Sequence, residues 1–174
     1  MGNGHPVGAV ITTKKIAESF LNTGVQYFNT YGGNPVSCAV ANAVMEVIDE
    51  EKLQEKCLVV GRYLIEKGNE LKKDYELIGD VRGMGLFYGL ELINDKKTRS
   101  PATEEAHMIV DRMKNKHKIL VSSDGPDDNV IKLKPPMVFN KDNVDEFIAG
   151  FKECLQFAQI EKEVNGHLEM TLNI

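Results

Sequence analysis

The sequence predicts a mixed α/β fold that closes in a small α+β domain, and two observations carry that expectation. Short β-prone apolar runs at 7–11, 86–93, 119–121 and 130–133 alternate with longer segments whose apolar residues recur at helical spacing, at about 12–20, 35–50, 53–73, 100–116 and from 141 onward. Hydrophobic residues make up 42% of the 174 and charged residues 27%, a globular balance that excludes a disordered chain. A chain of this length can bury ~70% of its unfolded surface, so the elements have room for a core.

Residues 7–11, VGAVI, read as a strand covered on both faces, and such a strand needs neighbours. Thr12 or Thr13 can cap a helix running to about Phe20, which Asn22, Thr23 and Gly24 break. Residues 27–35 form a loop by the Gly32 and Gly33 pair, with Asn34 placed to cap the next helix and Pro35 to open it. That helix aligns Val36, Val40, Ala43, Val44, Val47 and Ile48, and closes at Asp49, Glu50 and Glu51. Another, from about Leu53 to Lys73, aligns Leu53, Cys57, Val60, Leu64 and Leu71. A domain boundary between the two divides the chain into residues 1–50 and 51–174.

Residues 79–85, GDVRGMG, read as a glycine-punctuated turn leading into a strand at 86–93. Ser100 and Pro101 read as the cap and first residue of a helix to about Lys116, with Glu104 and Glu105 at its positive end. Residues 119–121 and 130–133 are short strands around a turn-rich loop, and Pro135 and Pro136 stop the second. A last helix from about Lys141 aligns Val144, Phe147, Ile148, Phe151, Leu155 and Ala158. After Ile160 the pattern fades and the tail reads as frayed.

The composition narrows function by exclusion. A net charge of −5 leaves no basic face for the phosphates of a nucleic acid. Cys38, Cys57 and Cys154 are too dispersed for a zinc site or a disulfide framework, so no metal is expected. No apolar run reaches the ~20 residues that cross a bilayer, so no membrane partner is expected.

Three glycine-bearing segments remain as candidates for chemistry. Residues 1–10 could bring backbone close to a cofactor, or simply turn into a strand. Residues 29–35, NTYGGNP, set the Thr30 hydroxyl and several amides before a helix N-terminus, an arrangement that holds a phosphate monoester. It equally serves as a plain turn into a capped helix. In residues 80–85 the Arg82 guanidinium could hold an anion bidentately, although pairing with Asp80 or a later carboxylate is its commoner use.

Taken in order, GNGHPVGA at 2–9, NTYGGNP at 29–35, GDVRGMGLFYGLE at 79–91 and KPP at 134–136 resemble the second half of the class III, fold type I, pyridoxal-phosphate (PLP) aminotransferases, from residue 1 to about 158. Residues 98–105, SDGP at 123–126 and LKPPM at 133–137 are similar to the alanine-glyoxylate aminotransferase 2-like branch, which includes ethanolamine-phosphate and 5-phosphohydroxylysine phospho-lyases.

The resemblance implies that residues 1–50 are the end of the PLP-binding large domain with an interdomain helix, and that residues 51–174 are the small C-terminal domain. It implies an obligate homodimer with a shared site, in which Thr30 reaches the PLP phosphate of the neighbouring subunit and Asn29 assists. It places the Schiff-base lysine just before Met1, so this chain is expected to hold no catalytic lysine and to be inactive alone. Lys14 and Lys15, on a polar helix start, are expected to be merely solvated. Lys132 stands where many members carry an arginine for the substrate carboxylate. That departure suits a phosphorylated amine, such as phosphoethanolamine or 5-phosphohydroxylysine, better than an ordinary amino acid. An amino-acid transaminase and a non-catalytic dimerisation protein remain the alternatives, with mitochondrial residence implied by the resemblance and a cytoplasmic location open.

Overall fold

The structure is a computed structural model that describes residues 1–172. It divides into two compact units, Met1–Leu53 and Gln54–Ile174.

The first unit holds two helices, α1 (Lys14–Leu21) and α2 (Pro35–Glu50). Thr13 precedes α1 in extended conformation, without a side-chain cap. Asn34 caps α2: its Oδ1 accepts from the backbone N–H groups of Val36 at 3.0 Å and Ser37 at 3.1 Å, and Pro35 opens the helix where a missing N–H is harmless. His5 Nε2 lies 2.9 Å from Ser37 Oγ in the first turn of α2. The strand expected at 7–11 does not form. Val10 and Ile11 are 93% and 94% exposed, and no strand among the described residues pairs with them. An apolar run becomes a strand only where a ladder partner takes its backbone groups.

The second unit is built on α3 (Leu53–Asp74), β1 (Ile78–Met84), β2 (Phe87–Leu92), α4 (Thr103–Arg112), β3 (Ser122–Asp124), β4 (Val130–Leu133) and α5 (Lys141–Leu172). Its strands form one antiparallel sheet in the order β1-β2-β4-β3. Alternation sends Tyr88, Leu90 and Leu92 of β2 and Ile131 and Leu133 of β4 to the core face. There they join Leu64 and Leu71 of α3, Ile109 of α4 and Val144, Phe147, Phe151 and Leu155 of α5. The Tyr88 and Phe147 rings meet edge to face at 6.3 Å, and Phe147 stacks on Phe151 at 5.5 Å.

Four expectations change here. Residues 79–85 are not a turn but most of β1, paired in register with β2 from Arg82–Gly89 to Met84–Phe87. Only Gly85, at φ +53°, turns the chain. Gly83 is bare because a β-carbon there would lie 2.2 Å from the Phe87 carbonyl oxygen. Helix α4 starts at Thr103 rather than at Pro101, which is drawn into an isolated bridge with Ile93. After Arg112 the helix widens into a π-helical turn, Met113–His117, closed by Lys118 in left-handed conformation. That exit uses up residues 119–121 and moves the third strand to Ser122–Asp124. Helix α5 does not fray at Ile160 but continues to Leu172, through a run rich in helix-forming Glu, Lys, Leu and Met; residues 173–174 lie outside the described part. Among the described residues no helix is long and apolar enough to cross a membrane.

Candidate functional site

The loop before α2 belongs to the first unit. Asn29 organises it: its Oδ1 accepts from the Tyr31 N–H at 3.0 Å, its Nδ2 donates to the Tyr27 hydroxyl at 3.3 Å, and its carbonyl accepts from the Gly32 N–H at 3.1 Å. Gly33 at φ +70° then turns the chain into the Asn34 cap. The exposed Thr30 hydroxyl and the Gly33 N–H are among the donors of the loop with no partner among the described residues. A free hydroxyl and a free amide ahead of a capped helix fit one side of a phosphate group, which the positive helix end also favours. The donor chemistry of the loop is thus compatible with a phosphate group. Lys14 lies in α1 with its side chain 90% exposed, 3.7 Å from Glu18, which is the setting of a solvated ammonium.

The second unit presents the other candidate, Lys132, on the face of the sheet away from the core. Arg82 of β1, Gly89 of β2, Lys132 of β4 and Ser122 of β3 stand in one cross-strand row. Asp80, Glu91, Val130 and Asp124 form the next. The cations of the first row pair with the anions of the second, diagonally across strands for Arg82–Glu91 and Lys132–Asp124 and along β1 for Arg82–Asp80. Arg82 Nη1 donates to Glu91 Oε2 at 2.6 Å and to Asp80 Oδ2 at 3.0 Å, and Lys132 Nζ donates to Asp124 Oδ2.

The hydrogen bond from Lys132, aided by the Gly125 N–H, holds the Asp124 carboxyl below the usual carboxylate range. The carboxylates of Glu91 and Asp80 raise the Arg82 guanidinium above its ordinary value. Arg82 thus has the structural pairing its sequence position suggested. The sequence does not mark Asp124 as the partner of Lys132; an Asp preceding Gly-Pro is the signal it offers, and only the β3–β4 register shows where the carboxylate goes. An open groove of about 370 Å³ runs over this face, with Arg82, Gly89, Asp124 and Lys132 among its lining. Among the described residues no cluster of His, Cys, Asp and Glu could hold a metal ion.

Similarity to known proteins bears on both parts. The chain is 65% identical over 162 residues to an alanine–glyoxylate aminotransferase 2-like protein of Drosophila melanogaster, covering 93% of this chain and 33% of that one. It is 43% identical over 155 residues to ethanolamine-phosphate phospho-lyase homolog 1 of Caenorhabditis elegans, covering 89% and 33%. Its fold matches an Arthrobacter phospholyase solved in complex with phosphoethanolamine, with a TM-score of 0.83 at 36% identity over 90% of this chain and 36% of that one. The chain thus spans about a third of the length of the curated relatives it matches. These likenesses support pyridoxal phosphate as the cofactor and a PLP-transferase type of α/β fold. With the aminotransferase class-III family model matching residues 1–155, nearly the whole described chain, the protein belongs to the class III aminotransferase family.

Proposed function

We propose that this chain is the C-terminal portion of a PLP-dependent class III enzyme that eliminates phosphate from a phosphorylated amine, phosphoethanolamine or 5-phosphohydroxylysine. One observation carries the reading: the likeness to the Arthrobacter phospholyase bound to phosphoethanolamine, at a TM-score of 0.83. In this reading residues 1–50 end the PLP-binding large domain and residues 51–174 are the small domain. The enzyme acts as a homodimer with a shared site. Mitochondrial residence follows the names of some alanine–glyoxylate aminotransferase relatives.

Bound PLP supplies the electron sink that makes breaking a bond beside the amine feasible. This chain supplies binding and orientation. The Thr30 hydroxyl donates to the cofactor phosphate, and Asn29 holds the loop that aims it, with its second amide hydrogen left to assist. Lys132 holds the anionic end of the substrate with the ammonium hydrogens that Asp124 does not take. A lysine offers a point charge with three donors, where the planar fork of an arginine binds carboxylate or phosphate bidentately. Thr30, Asn29 and Lys132 bind and orient, and none of them forms the covalent link to PLP.

An amino-acid transaminase is the second reading, favoured by the name of the 65% identical Drosophila relative. Lys132→Met in the complete enzyme tests the place of Lys132 in the site: kcat/KM for phosphoethanolamine should fall by about tenfold or more. An unchanged value removes Lys132 from the substrate site.

A further inference from the structure

Gly89 occupies the middle of β2, between Arg82 on one neighbouring strand and Lys132 on the other. Its backbone does not require glycine, since it is absent from the positive-φ glycines. No backbone atom stands close enough to forbid a side chain either. A β-carbon there would meet a Val130 methyl at 3.3 Å, from which that side chain must give by a few tenths of an ångström, and Arg82 atoms at 4.0 Å, an ordinary contact. Glycine inside a strand weakens it, and where neither turn nor close packing asks for it, it marks a place kept clear for something else. What Gly89 keeps clear is the floor of the groove of about 370 Å³.

The walls of that groove carry unused donors. Arg82 engages both of its carboxylates through Nη1, leaving Nη2 and Nε without a partner among the described residues. Lys132 gives Asp124 one of its three hydrogens. The two cations stand two strand spacings apart, about 10 Å of sheet, which leaves room for a tetrahedral anion with a donor on either side. Asp80, Glu91 and Asp124 set a threshold. An incoming anion must compete with carboxylates already in place, and a dianion competes better than a monoanion.

We propose that Gly89 is a specificity-determining residue, and that the space above it seats a phosphate group between the free edge of the Arg82 guanidinium and the Lys132 ammonium. This rests on the reading of Lys132 as a substrate-binding residue.

The test is an amide-resolved NMR titration of the 174-residue chain with phosphoethanolamine and, separately, with orthophosphate, following Gly89, Gly125 and Lys132. Saturable shifts at these amides are expected. Gly89→Leu, which fills the groove without changing a charge, should weaken binding by about tenfold, and Gly89→Ala, which preserves the fold if leucine does not, by about twofold or more. Lys132→Met should weaken it at least as much as leucine. If both Gly89 variants bind like the parent while Lys132→Met has lost binding, this inference is overturned and the reading of Lys132 stands. If Lys132→Met binds like the parent, both fall. If Gly89→Leu changes the association state and leaves phosphate binding intact, the space serves a second backbone and the inference is again overturned.

Discussion

Gly61 of α3 faces the carbonyl oxygen of Gly85 so closely that a β-carbon on Gly61 would lie 2.0 Å from it. The atom it would strike is backbone, in the turn that joins β1 to β2, so no side chain can swing aside. Gly61→Ala should therefore destabilise the second unit by about 1–3 kcal/mol or more, read as a lower denaturation midpoint, because the hairpin must move off α3. An unchanged midpoint would mean that helix and turn do not pack this closely.

A second prediction concerns acid. Glu153 of α5 accepts from Lys116 at 2.7 Å and from Arg112 at 2.8 Å, and its other oxygen lies 2.9 Å from His117 Nε2. The Lys116 and Arg112 bonds pull its carboxyl down to about 2. A carboxyl held lower in the folded than in the unfolded chain stabilises the fold at pH above its unfolded value, and loses that contribution as pH falls through the folded one. The stability gap between the parent and Glu153→Gln should thus be full above about pH 4.5 and close towards about pH 2, as measured by urea midpoints across the range. A gap that does not change with pH would contradict the network.

The exposed run at 7–11 gives a third. Its amides have no ladder partner among the described residues, whereas β2 is paired on both sides. Hydrogen exchange in the isolated chain should be much faster at 8–11 than at 88–92. Equal protection at the two segments, in a demonstrated monomer, would show that 7–11 has found a partner after all.

Thr30 supplies a fourth. In the complete enzyme Thr30→Ala should weaken PLP retention by roughly 1.5–3 kcal/mol, the worth of a hydrogen bond to a charged group, without altering the fold. Serine at the same position should restore most of it. Unchanged retention in the alanine variant would take Thr30 out of the cofactor site.

What the sequence makes legible is what is local. Asn34 and Pro35 announce the start of α2 because a cap and its helix are three residues apart. The apolar spacing of 141–158 likewise sets the buried face of α5, where Val144, Phe147, Phe151 and Leu155 are found in the core. What stays hidden depends on partners distant in the chain. The glycines of 79–85 look like turn residues until the β1–β2 register shows Gly83 pressed against Phe87. Residues 7–11 look like a buried strand because composition cannot say whether a neighbour is present. In the same way, Lys132 is a bare candidate cation in the sequence. Its Asp124 partner and the cleared floor at Gly89 appear only once β2, β3 and β4 are laid side by side.

Elimination of phosphate is tested by a product assay on the complete enzyme that contains this chain, given phosphoethanolamine and PLP. Orthophosphate and ammonia should be released in equal amounts, with no need for an amino acceptor. Turnover that requires glyoxylate or another oxo acid, moves the amino group to it and releases no phosphate would contradict phosphate elimination and leave an amino-acid transaminase in its place.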